Sequence, residues 1–251
     1  MIVLNLLDEL DLKIFKCKNV KTPAKAWDAA GWDLFVPNDL TIFDFAKSYK
    51  NYLDESVSFS KNERYNIPII FYLSSIDTIG EFICRLFLTW NKNINEWVFN
   101  IEYFDADGKR CNSLLIDLND EIGKWIGEKT TYISHIELEP HAKINIPSGI
   151  HVNLPENVFL KIENKSGISS KRGLSFLASV IDVDYQGEIH INVVNTGNLP
   201  VMIHAGEKIV QALPLFQPQM KNVIEFSSLD ELYENKNSNR GAGGFGSSGE
   251  K

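Results

Sequence analysis

The stretch Arg240-Gly241-Ala242-Gly243-Gly244-Phe245-Gly246-Ser247-Ser248-Gly249 is the part of this sequence best equipped to hold an anion. Glycines let successive backbone N–H groups close on one phosphate, Ser247 and Ser248 add hydroxyl donors, and Arg240 can fork onto phosphate oxygens. The Gly-Lys-Ser/Thr ending of a P-loop is missing. Phe245, alone among glycines, is suited to stacking on a base. The same composition also fits a mobile linker that carries no chemistry.

A second chemical feature is the pair Asp182 and Asp184 in the strand-like run VIDVDYQGEI. A carboxylate within hydrogen-bond reach of a water can accept its proton and make a nucleophile. Turn residues capping their own backbone are the plain alternative. Lys165, Ser166 and Gln211 are candidate phosphate donors that in isolation read as solvated surface. His135, His141, His151, His190 and His204 fall on separate segments without HxxxH or HExxH spacing, which gives zinc no support.

The elements that must position these residues are mostly strands. HAKINIP, GIHVNLP, VFLKIEN, EIHINVVN and PVMIHAG are short, β-branched or alternating, and punctuated by Gly, Pro and Asn, the pattern of an all-β sandwich or barrel. Residues 38–134 differ. They hold 17 of the 28 aromatic residues with 10 basic and 15 acidic side chains, enough for a core of their own. Their pattern predicts a small α/β unit with helices near 41–55, 76–88 and 118–128 and a hairpin over 97–117 turning on Asp105–Gly108.

Charge and cysteine usage narrow the function classes. Lys plus Arg number 25 against 33 Asp plus Glu, so the net charge of -8 has the wrong sign for neutralising a nucleic-acid backbone, although a small phosphorylated ligand is compatible. Cys17, Cys84 and Cys111 are odd in number and far apart, which fits a reducing cytoplasm and neither a disulfide framework nor a cysteine zinc site. Early acids in MIVLNLLDELDLKIF argue against a signal peptide. No apolar run reaches membrane-spanning length, so a soluble chain without a membrane partner is expected.

The glycine-rich stretch resembles the fifth motif of the trimeric dUTP diphosphatase (dUTPase) family, and four further motifs follow in family order. Ala29-Ala30-Gly31-Trp32-Asp33-Leu34 resembles motif one, with Trp where Tyr is usual, and Asn164-Lys165-Ser166-Gly167-Ile168 resembles motif two, with Lys165 where the family has Arg. Ser179-Val180-Ile181-Asp182-Val183-Asp184-Tyr185-Gln186-Gly187 resembles motif three, and Gly206-Glu207-Lys208-Ile209-Val210-Gln211 motif four. The resemblance covers 1–37 and 135–251 and leaves 38–134 as an insertion.

It implies an all-β, jelly-roll core over 1–37 and 135–226, an inserted α/β accessory domain at 38–134 and a flexible arm at 227–251. It also implies hydrolysis of dUTP to dUMP and diphosphate, with Asp182 as base for water attacking the α-phosphorus. Lys165, Ser166, Gly167, Gln211, Arg240, Gly246, Ser247 and Ser248 would hold phosphates, Val180 and Ile181 would face the uracil edge, Tyr185 would pack on deoxyribose, and Phe245 would cover the base. Mg2+ would arrive on the triphosphate, with Asp33 reaching it through water. Sites shared within a homotrimer are expected, and a protein partner is a role left for the insertion. The rival readings are a dCTP deaminase or bifunctional relative, weakened because Asn192 stands where a deaminase has its glutamate base, and a regulatory module on the same scaffold.

Overall fold

Successive residues of HINVVN alternate half-buried and buried in the fold, and the first six of VFLKIEN alternate buried and half-buried, so these segments form strands with one face in the core. The structure, a computed structural model, describes residues 11–26, 28–42, 44, 45, 65–75, 81–91, 96–105, 107–116, 131–218 and 222–234. In chain order its strands are β1 (Lys13–Lys16), β2 (Trp32–Phe35), β3 (Tyr65–Ser75), β4 (Glu81–Asn91), β5 (Glu96–Phe104), β6 (Arg110–Ile116), β7 (Thr131–Leu138), β8 (Lys143–Pro147), β9 (Ile150–Asn153) and β10 (Val158–Asn164). Helix α1 (Ser166–Arg172) precedes β11 (Leu174–Phe176), β12 (Val180–Ile181), β13 (His190–Asn195), β14 (Val201–His204) and β15 (Lys208–Phe216), and α2 (Leu229–Leu232) closes the described chain.

Four antiparallel sheets result among the described residues: β1-β9, β12-β10-β15-β2, β11-β13-β8 and β14-β7-β3-β4-β5-β6. The expected all-β architecture is what the molecule has. The hairpin over 97–117 is also present. Gly108, at φ 76°, takes the left-handed turn position, and Asp105 Oδ1 accepts from the Asp107 and Lys109 N–H groups at 3.2 and 2.8 Å.

Residues 38–134 depart from expectation. The helix predicted over 76–88 is replaced by strand from Glu81 onward, where exposed Arg85 stands between buried Cys84 and Leu86 and both strand edges pair, with β3 and with β5. A short apolar run cannot be assigned from periodicity alone, and the non-local pairing decides it. Ile42, Asp44 and Phe45 are helical, with Thr41 N–H donating to Asp44 Oδ2 at 2.8 Å, while the rest of the predicted 41–55 helix and all of 118–128 lie outside the described residues.

The core of the insertion is not separate. β3 pairs with β7 on one side and β4 on the other, so the insertion continues a sheet begun by β14 and β7. Ile69, Phe71, Leu86 and Ile101 from the insertion belong to one buried cluster with Leu34, Ile136, Ile144, Ile162 and Ile203. Packing divides the chain at another place, into Met1–Gln217 and Pro218–Lys251, ahead of the boundary expected after 226. In the second unit Ser228 caps α2, its Oγ accepting from the Glu231 N–H at 3.2 Å. No helix among the described residues is long and apolar enough to cross a membrane.

Candidate active site

The sheet β12-β10-β15-β2 carries residues from four of the five motifs. Asp33 on β2 stands opposite Gln211 on β15, and Phe35 opposite Lys208. Lys208 and Gln211 are an odd number of positions apart and on a regular strand would face opposite ways. A bulge between Lys208 and Val210 sets Ile209 and Val210, both buried, against the single Leu34, which returns Lys208 and Gln211 to the face of Asp33.

The Asp33 carboxylate is almost fully buried. Its Oδ1 accepts from Lys165 Nζ and its Oδ2 from Lys208 Nζ at 3.0 Å. Burial opposes its charge, but the two ammonium groups outweigh that and hold the carboxyl below its ordinary value. Lys165 is the residue that leads from β10 into α1, so this contact pins the start of the helix to β2. The other end is pinned too: Arg172 donates to Glu207 Oε1 and to the Met202 carbonyl. Gln211 Nε2 donates to the Asn164 carbonyl at 3.1 Å, and Asn164 Oδ1 accepts the Phe176 N–H at 2.7 Å, which ties motif two to β11.

These contacts surround an open depression of about 400 Å³ lined by Lys165, Ser166, Gly167, Ile168, Glu207, Lys208 and Gln211. The predicted residues Lys165, Ser166, Gly167 and Gln211 therefore meet. A Cβ on Gly167 would touch nothing within 4 Å, so the chain itself makes no steric demand for glycine there. Lys208, Glu207 and Asn164 lie in the matched motifs but were given no role, and Arg172 lies outside them. The signal for Lys208 was its place beside Gln211 in GEKIVQ, but only the bulge turns it to the same side.

Asp182 is not brought to this depression within one chain. β12 pairs with β10 at Ile181↔Leu160 and Val180↔Lys161, so Asp182 continues toward the start of β10, away from Asn164. Leu160 alone is four residues short of that strand end, roughly 13 Å at strand rise. The strand-like run also stops early: beyond Ile181 the chain turns, and Asp182, Asp184 and Tyr185 are all exposed. Tyr185 Oη donates to the Glu188 carbonyl at 2.8 Å. Arg240, Phe245, Gly246, Ser247 and Ser248 lie outside the described residues.

A protein-held metal is not what this arrangement fits. Both oxygens of Asp33 are engaged by lysines, and no group of three or more His, Cys, Asp or Glu among the described residues could hold an ion. His135 and His204 do meet across β7 and β14, with ring centroids 5.3 Å apart, but bring no third ligand. Asn192 faces Asn145 across β13 and β8 with its amide oxygen buried, and offers no carboxylate for base chemistry.

The dUTPase family model matches residues 132–249. A deoxyuridine 5'-triphosphate nucleotidohydrolase of Finegoldia magna is 38% identical over 116 residues, 45% of this chain and 76% of that protein. The protein of the same name from Desulfitobacterium hafniense is 38% identical over 119 residues, 45% of this chain and 73% of that protein. Among solved structures, a mutant dUTPase of Staphylococcus bacteriophage 80alpha with dUpNHpp aligns at a TM-score of 0.46 and 18% identity, over 96% of this chain and 99% of the other.

Proposed function

The chain belongs to the dUTPase family and hydrolyses dUTP, and from that premise we infer how its residues divide the work. Ser166, Gly167, Lys165 and Gln211 receive the phosphates. Val180 and Ile181 offer backbone groups to uracil, and Tyr185 packs against the deoxyribose where a 2′-hydroxyl would stand. Asp182 accepts a proton from water as its oxygen bonds to the α-phosphorus. The bond from that phosphorus to the oxygen bridging to the β-phosphate breaks, and diphosphate leaves with its electron pair. Arg240, Phe245, Gly246, Ser247 and Ser248 cover the bound nucleotide.

The observation that supports this division is the convergence of the Lys165–Gly167 stretch and Gln211 on one depression with two ammonium groups at its rim, in a chain whose net charge is -8. Asp182 runs away from that depression along β10. The base therefore serves the phosphate residues of another copy, in a homotrimer with shared sites. Magnesium comes on the triphosphate and neutralises part of its charge, needing no carboxylate cage from the protein. A reducing cytoplasm is the compartment this reading assigns, in keeping with free Cys17 and Cys84. Residues 38–134 contribute trimer contacts or a surface for a protein partner.

Incubation with dUTP and Mg2+ tests the activity: dUMP and diphosphate should form in equal amounts, with no ammonia released from dCTP. Ammonia from dCTP without dUTP turnover would replace this reading with the deaminase.

A further inference from the structure

We propose that Asp33 is a positioning residue for a two-lysine phosphate clamp, and that Lys208 is a substrate-binding residue alongside Lys165. The inference rests on reading the depression as the triphosphate site. Two ammonium groups at one rim repel each other and, unheld, would turn to solvent. Here each is fixed by a different oxygen of one carboxylate that is itself almost fully buried on β2. Asp33 does not line the depression, whereas both lysines do.

The charges decide what such a device can bind. Lys165, Lys208 and Arg172 give three positive charges against two negative ones on Asp33 and Glu207, a local net of +1 on a chain of -8. Arg172 is turned to Glu207 and the Met202 carbonyl. The two lysines are left as the cations at the rim. Where a guanidinium would offer one planar fork, two point charges a carboxylate apart can each meet a different phosphate. The clamp then reads the number of phosphates, favouring a triphosphate over a monophosphate.

The test is titration of the full-length protein with a non-hydrolysable dUTP analogue and with dUMP, in magnesium buffer, for wild type, Lys208→Gln, Lys208→Arg and Asp33→Asn. Lys208→Gln should weaken the analogue about tenfold and dUMP much less, and Lys208→Arg should restore most of the loss. Asp33→Asn gives the discriminating sign. Removing a nearby negative charge would by itself tighten binding of an anion, whereas releasing the lysines from their fixed positions weakens it. Weaker analogue binding by Asp33→Asn supports the clamp; tighter binding overturns its positioning role. Equal losses for dUMP and the analogue in Lys208→Gln overturn the phosphate-counting role, and that variant serves alone if Asp33→Asn does not fold. Wild-type protein that leaves dUTP intact would instead remove the reading on which the clamp rests.

Discussion

The ring of Tyr185 folds back over Gly187, so closely that a Cβ at 187 would collide with it. A side chain at 187 would have to push the ring aside, and the ring is held there by the bond from its hydroxyl to the Glu188 carbonyl. If Tyr185 excludes ribose by its position, Gly187→Ala should displace the ring and relax sugar selectivity without touching the base or the phosphates.

The measurement is kcat/KM for dUTP and UTP. Gly187→Ala should reduce the preference for dUTP by about tenfold, within the range that shape alone commands in a pocket, and Tyr185→Phe, which keeps the ring but loses the bond that holds it, should reduce it less. Unchanged discrimination in Gly187→Ala would separate Tyr185 from sugar recognition.

The β character of 135–216 was legible because alternating Ile and Val in segments such as HINVVN match the burial of β13. The site residues were legible for a different reason: Asp33, Ser166, Gly167 and Gln211 sit in runs that resemble the family's motifs in order, although Ser166 and Gln211 in isolation read as surface. What could not be read is whatever depends on pairing between distant strands. EFICRLFLTWN suits a buried helix as well as β4 until β3 and β5 are placed beside it. The bulge that brings Lys208 to the side of Asp33 leaves no mark in GEKIVQ, and the register that carries Asp182 away from Ser166 is a property of β10 and β12 together.

That register leads to a complementation experiment. Asp182→Asn keeps the side-chain size but cannot accept the water's proton, so turnover should fall roughly a hundred- to ten-thousand-fold while dUTP still binds. Gln211→Leu should be crippled through the phosphates. Neither variant is active alone, yet after the two are mixed, unfolded and refolded together, some sites combine a native Asp182 from one copy with a native Gln211 from another. Recovered dUTP turnover in the mixture supports sites shared between copies. A mixture as inactive as its parts, in protein that sediments as a trimer, would place both residues in one chain's site.

Asp33 should also make stability depend on pH. Its folded-state carboxyl is held below the ordinary value, against burial, by the Lys165 and Lys208 ammonium groups. A group depressed in this way contributes stability that is fully present above its unfolded value of about 3.9 and is lost as the pH falls through the lower folded value. Wild type should therefore melt above Asp33→Asn near neutrality, and the gap should shrink as the pH is lowered beneath about 4. A gap in Tm that stays constant down to acid conditions would mean that the ionised carboxylate is not what stabilises this corner.

Residues 38–134 should prove inseparable from the rest of the fold. Ile69 and Phe71 on β3 pair with Leu138 and Ile136 on β7, and all four side chains are buried. The Lys18 ammonium donates to Asp44 Oδ1 at 2.6 Å, and the Asn38 N–H donates to the Asn19 carbonyl at 2.9 Å. Replacing 38–134 by a short Gly/Ser connection would remove β3 and leave Ile136 and Leu138 without that cover, besides opening an unpaired edge on β7. Each large aliphatic returned to water costs about 1.5–3 kcal/mol. Against the roughly 5–15 kcal/mol that holds a domain together, two such losses come close to unfolding a marginal one. The excised chain should therefore be insoluble or melt far below wild type, and Phe71→Ala should show the same weakness in smaller measure, about 3–5 kcal/mol. A soluble excised chain that melts cooperatively near the wild-type temperature would show instead that the insertion only leans on a core complete without it.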